Sequence, residues 1–223
     1  QRQMCIRDRN GSEQENASSD SQKLQIVATI FPEYDWVKEI LGDQAENVDL
    51  TLLLGNGTDM HSFQPTMEDI LKVSTCDLFI YVGGESDSWV ADALKGAGNP
   101  DRKAINLMDV LGDQVKEEEI VEGMQDEDGH THEEEHTHDD DLEYDEHVWL
   151  SLKNASLFCD TIASSLADVD PEHSRLYQQN AEAYEEKLAA LDQEYQTSVE
   201  KSQSKTLLFA DRFPFRYLID DYN

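Results

Sequence analysis

Three consecutive segments decide the fold: Gln25-Ile-Val-Ala-Thr-Ile30, Phe31-Pro-Glu-Tyr-Asp-Trp-Val-Lys-Glu-Ile-Leu41 and Val48-Asp-Leu-Thr-Leu-Leu-Leu54. The first is short, apolar and rich in β-branched side chains, so it reads as a buried strand. The second repeats apolar residues at helical spacing and stops at Gly42. The third reads as another strand. A Gly-rich loop follows, Gly55-Asn-Gly-Thr-Asp-Met-His-Ser-Phe-Gln-Pro65. Thr66 and Asp69 form a capping-box pattern for a short helix through Val73. Asp77 to Val82 is a third strand closed by Gly83-Gly84, Ser88 to Leu94 is helical, and Lys103 to Leu107 is a fourth strand. Strands alternating with helices predict an α/β lobe on a mainly parallel sheet.

Both flanks read differently. Gln1 to Arg9 is basic and aperiodic, resembles translated adapter sequence, and is set aside from fold reasoning. Asn10 to Lys23 is a polar tether too poor in apolar residues to fold. Such tethers link a membrane-anchored cysteine to an exported domain, yet Cys5 has no apolar run before it. Towards the other end, Asn154 to Ala167 has one helical pattern. Asp170-Pro171 reads as an N-cap with Pro at the first helical position. Tyr177, Tyr184, Leu188, Leu191, Tyr195 and Val199 then form one apolar stripe on a single helix, expected over 171–202 and ~48 Å long. Thr206 to Ala210 reads as a strand that starts a second sheet, so the sequence is expected to be an N-terminal fragment. The expected organisation is a tether over 1–23, an α/β lobe over 24–168, a linking helix over 169–204 and the start of a second α/β lobe over 205–223.

The chain has 223 residues, with 17 Lys+Arg against 49 Asp+Glu and a net charge of −32. Nucleic acid and anionic membrane surfaces repel such a chain, whereas metal cations do not. No apolar run approaches the ~20 residues of a membrane span, and no secretory h-region is present. Half of the net charge lies in Glu117 to His147, which holds 16 acids and no Lys or Arg. The segment 117–146 is therefore expected to be an acidic loop inserted in the lobe. Cys5, Cys76 and Cys159 form no CxxC pair, and the latter two lie in apolar patterns that fit core positions better than ligation.

Histidine carries the chemical signal. Imidazole is the commonest ligand for borderline ions such as zinc. His61 sits on the loop after the second strand, where parallel-sheet proteins place ligand sites. His147 sits in Asp145-Glu-His-Val-Trp-Leu-Ser151, just before a helix. Within the acidic stretch, His130, His132, His136 and His138 form a HxHxxxHxH pattern. Paired histidines on an acid-rich chain chelate with little geometric demand, so this cluster is expected to bind metal weakly and exchangeably.

Together, Ala28-Thr-Ile-Phe-Pro32, Gly57-Thr-Asp-Met-His-Ser-Phe-Gln-Pro65, Cys76-Asp-Leu-Phe-Ile-Tyr-Val-Gly83 with Trp89, and Asp145-Glu-His-Val-Trp-Leu-Ser151 with Asn154-Ala155 resemble the zinc/manganese solute-binding proteins of bacterial ABC importers. The resemblance runs from about Leu24 to the end. It implies two α/β lobes joined by a rigid long helix, with metal held between them. The His-rich acidic loop resembles the zinc-preferring members. By position, His61 and His147 match the first two family ligands. The third, a histidine opening the second lobe, falls on Arg212, which cannot bind a cation. Its neighbour Asp211 offers an oxygen instead, and the family's fourth ligand, an acid, would lie beyond Asn223. Leu152 replaces the usual Pro.

The expected function is extracytoplasmic capture of zinc, or manganese if Asp211 and a further acid complete the site, and delivery to an ABC permease. The protein is expected to be a non-enzymatic monomer in the periplasm or at the cell surface, tied to the membrane only through a lipid anchor if it has one. One rival is a metal-buffering or adhesive surface protein acting through the His-rich loop. The other is a zinc hydrolase, for which the sequence offers neither HExxH nor GxSxG.

Overall fold

The computed structural model describes residues 23–55, 57–96, 98–118, 144–209 and 213–222. Strands β1 (Leu24–Ala28), β2 (Val48–Leu52), β3 (Leu78–Tyr81) and β4 (Lys103–Asn106) form one sheet in the order β2-β1-β3-β4. Every pairing is parallel, with Ile26 opposite Leu50 on one side and Leu78 on the other. The α/β reading is thus met. The strands are shorter than the apolar runs suggest, but Leu53 and Leu54 still donate to the Ala28 and Thr29 carbonyls at 2.9 and 3.0 Å.

Alternation along the strands builds two cores. Ile26, Leu78 and Ile80 point to one face, where α1 (Phe31–Leu41), α5 (Leu152–Val169) and α6 (Ser174–Lys201) cover them. Val27 and Phe79 point to the other, against Val73 of α2 (Met67–Thr75) and Val90 and Ala93 of α3 (Val90–Lys95). Cys76 and Cys159 are fully buried free thiols, as expected of core positions. The capping box at the start of α2 is present, with Thr66 Oγ1 accepting the Asp69 N–H at 3.2 Å and Asp69 Oδ2 accepting the Thr66 N–H at 2.9 Å. A short α4 (Leu107–Leu111) was not expected; Asn106 ends β4 and caps this helix in the same step, accepting from Met108 and Asp109.

The long helix differs in detail from its sequence pattern. Pro171–His173 form a 3-10 turn, and α6 begins at Ser174. Asp170 does not cap it. Its carboxylate instead takes the Tyr177 hydroxyl at 2.5 Å and the His173 ring at 2.8 Å. The apolar stripe is buried at Tyr177 and Leu188, then emerges at Leu191 and Tyr195, where Tyr195 stacks on Tyr222 of α7 (Arg216–Tyr222). Residues 206–209 form no strand among the described residues. No strand lies beside them among the described residues, and Leu208 is 95% exposed. Among the described residues no helix is long and apolar enough to cross a membrane.

Candidate metal centre

In this strand order β1 and β3 are neighbours, and the chain runs outward from β1 to β2 on one side and outward from β3 to β4 on the other. The crevice at the carboxyl ends of such strands is where open parallel sheets bind ligands. The loop after β2 carries His61, the loop after β3 carries Ser86, and the segment leading into α5 carries His147. The three converge there. The His61 and His147 rings have centres 5.4 Å apart, inclined at 56°. Two imidazoles that share one tetrahedral ion through Zn–N bonds of about 2.0–2.1 Å have ring centres roughly 5 Å apart. The pair therefore has the spacing that one ion requires.

Each ring is also held from behind. His147 Nδ1 lies 2.9 Å from Asp145 Oδ1, and the same oxygen accepts the His147 backbone N–H at 2.8 Å. A carboxylate only accepts, so Nδ1 carries the proton and Nε2 keeps its lone pair. Trp149 packs against the ring, with centres 5.2 Å apart. His61 Nδ1 lies 3.1 Å from Ser86 Oγ and 3.9 Å from Glu146 Oε2. Asp145 and Glu146 side chains are 4% and 9% exposed, against 22% and 35% for the two histidines. Buried carboxylates stand behind and imidazoles face out. An open recess lined by Ile30, Phe31, Leu54, Met60 and Trp149 adjoins them.

Among the described residues, no group of three or more His, Cys, Asp or Glu side chains is placed to hold an ion. Asp211 and Arg212 lie outside the described residues, as do His130, His132, His136 and His138. The expected acidic loop 117–146 is bounded more tightly than its composition suggests. Glu117 and Tyr144 pair in an antiparallel bridge. The Tyr217 hydroxyl accepts the Lys116 N–H and donates to the Asp145 carbonyl, both at 3.0 Å. Asp145 and Glu146 thus belong to the site rather than to the loop. Sequence reasoning passed over them, together with Ser86. The only available signal was a pair of acids directly preceding a ligand-type histidine.

Two further acids are buried at the same edge of the sheet. Glu33 Oε2 accepts the Thr29 N–H, the Thr29 hydroxyl and the Ile30 N–H at 2.8, 3.0 and 3.2 Å. Complete burial outweighs these donors and pushes the carboxyl up to about 8 from its ordinary 4.5. Asp87, which accepts the Gly83 N–H at 3.0 Å, is pushed up to about 6, again mainly by burial. Between pH 4.5 and about 8 the folded chain keeps a proton on Glu33 that the unfolded chain releases, so stability falls as pH rises through that window. Glu33→Gln removes this contribution. Relative to wild type, the variant is expected to gain roughly 2 kcal/mol across two pH units within the window. Urea unfolding of both proteins at the two pH values measures it; a constant difference would show that Glu33 is ionised throughout.

The lobe is thus a parallel sheet with two backed imidazoles at the carboxyl ends of its strands. The family described as zinc-uptake complex component A, periplasmic, matches residues 26–223, and the chain belongs to it. It is 33% identical over 204 residues to the zinc-binding lipoprotein AdcA of Streptococcus pneumoniae, covering 90% of this chain and 37% of that protein. It is 32% identical over 213 residues to the high-affinity zinc uptake system protein ZnuA of Bacillus subtilis, covering 96% and 63%. The crystal structure of the metal-dependent lipoprotein YcdH from Bacillus subtilis superposes with a TM-score of 0.70 at 28% identity, over 90% of this chain and 64% of that one. The chain thus spans between about two fifths and two thirds of the length of these relatives.

Proposed function

We propose that this chain captures zinc outside the cytoplasm and delivers it to the membrane permease of an ABC importer. The observation that carries the reading is the imidazole pair at 5.4 Å with each Nδ1 engaged from behind. That leaves the Nε2 lone pair of His147 free, with the His61 ring beside it. Nitrogen donors favour zinc over magnesium or calcium, which take oxygen. Zinc completes four-coordination with further donors. Asp211 is our candidate for one of them, and a mixture richer in oxygen moves the preference towards manganese. Two partly exposed imidazoles on buried supports admit an ion without rebuilding the lobe. The relatives' names, a zinc-binding lipoprotein and a zinc uptake system protein, support the cargo and the extracytoplasmic place. The protein acts by binding and release rather than as an enzyme.

The His-rich segment is assigned a secondary role: weak, multiple zinc contacts that raise the local ion concentration. Replacing residues 121–141 with a short Gly-Ser linker tests the division of labour. The Glu117–Tyr144 bridge and the Tyr217 hydrogen bonds close the base of this segment, so shortening it leaves the site's supports in place. Zinc titration against a competing chelator should show the tight site retained and only weak sites lost. Loss of nearly all binding would instead make the segment the functional part and the protein a metal buffer.

A further inference from the structure

We propose that the consecutive acids Asp145 and Glu146 each support a different histidine, so that Glu146 is the positioning carboxylate of His61 across the loop that follows β3. The inference rests on the zinc-capture reading for its purpose, but its geometry stands apart from any ion. Asp145 turns back onto His147. Glu146 turns the other way. Its Oε1 accepts the Ser86 N–H at 2.8 Å, which locks one carboxylate oxygen to the loop. Its Oε2 is buried, has no hydrogen-bond partner and lies 3.9 Å from His61 Nδ1. Glu146 as a whole is 7% exposed, so an unsatisfied carboxylate oxygen there is costly unless it meets a donor. The His61 ring is a candidate donor at that distance.

Space for this carboxylate is built into the backbone. Gly84 has φ +75°, and a Cβ there would collide with Glu146 Oε1. Ser86 alone cannot choose the tautomer of His61, because a hydroxyl both donates and accepts. A carboxylate can. It favours the proton on Nδ1, directed at Oε2, and so leaves the Nε2 lone pair for the ion. A small rotation of the His61 ring closes the 3.9 Å gap to a hydrogen bond and gives His61 the same carboxylate–imidazole support that His147 has. Such outer partners fix ring orientation, and their loss typically costs about 10–100-fold in metal affinity.

Glu146→Gln makes the test sharp. The amide oxygen must remain at Oε1 to accept the Ser86 N–H, so the NH2 group replaces Oε2. A donor then faces Nδ1 and drives the His61 proton to Nε2, blocking the ligand lone pair. Long-range proton–nitrogen correlation spectra of the zinc-free, 15N-labelled chain under mildly alkaline conditions read this directly. Wild type should show His61 protonated on Nδ1, and the variant on Nε2, with His147 unchanged in both. Zinc affinity of the variant, measured by chelator competition, should fall at least tenfold. Glu146→Ala should give a mixed His61 tautomer and serves if the Gln variant does not fold. Wild-type His61 protonated on Nε2, or the same tautomer in wild type and variants, would overturn the proposal, as would unchanged zinc affinity in Glu146→Gln. Failure of wild type to bind zinc would instead strike the zinc-capture reading, since the tautomers are read without the ion.

Discussion

His61→Ala and His147→Ala are each expected to weaken zinc binding at least a hundredfold, equivalent to about 2.7 kcal/mol. In the proposed site the two rings, 5.4 Å apart, are the paired nitrogen donors at the mouth of the sheet. Removing one leaves an ion with a single imidazole and whatever oxygen donors the rest of the chain supplies. At His147 it also removes one of the two donors that reach the buried Asp145 Oδ1, the backbone N–H being the other. The double variant should fall short of the summed losses, since both rings serve one ion. His173→Ala is the matched control. That ring bonds Asp170 near the start of α6 and belongs to helix packing, so zinc affinity should be unchanged. Chelator competition on wild type and the four variants decides it. Near-wild-type affinity in both single variants would remove these residues from the site.

The parts of this molecule that sequence exposes are those with a local cause. β1 and β3 are short apolar runs without acid or base, and α1 carries Pro32 in its first turn and stops at Gly42, so each is legible from its own residues. His61 and His147 were legible because each stands inside a longer motif. What was hidden depends on partners distant in sequence. Asp145 and Glu146 close a stretch of acids that all look alike in composition, and only the folded chain shows that these two are buried. Ser86 carries no signal of its own; it matters because the loop after β3 crosses beside the loop after β2. Residues 206–209 show the converse. Their apolar run satisfies strand propensity, yet a strand also needs a neighbour to bond, and none lies beside them among the described residues.

Phe158→Ala is expected to cost about 3–5 kcal/mol of folding stability, the range for emptying a buried aromatic site. Phe158 is fully buried on α5, and its ring centre lies 5.7 Å from that of Trp36 on α1. The contact fastens the helix that follows His147 to the helix that follows β1, so it ties two of the site's supporting segments together. A domain of this kind holds roughly 5–15 kcal/mol in total, which makes the loss a large fraction of it. Leu157, next along the same helix but 37% exposed, is the control, and its replacement by Ala should cost under about 1 kcal/mol. Urea unfolding followed by circular dichroism separates them, with a lower midpoint and an unchanged slope for Phe158→Ala. Equal losses at both positions would show that the α1–α5 contact is not where the stability resides. Because the imidazoles and their carboxylates are untouched, the folded fraction should still bind zinc. Zinc at a hundred times its dissociation constant should then return about 2.7 kcal/mol by mass action, recovering more than half of the expected loss.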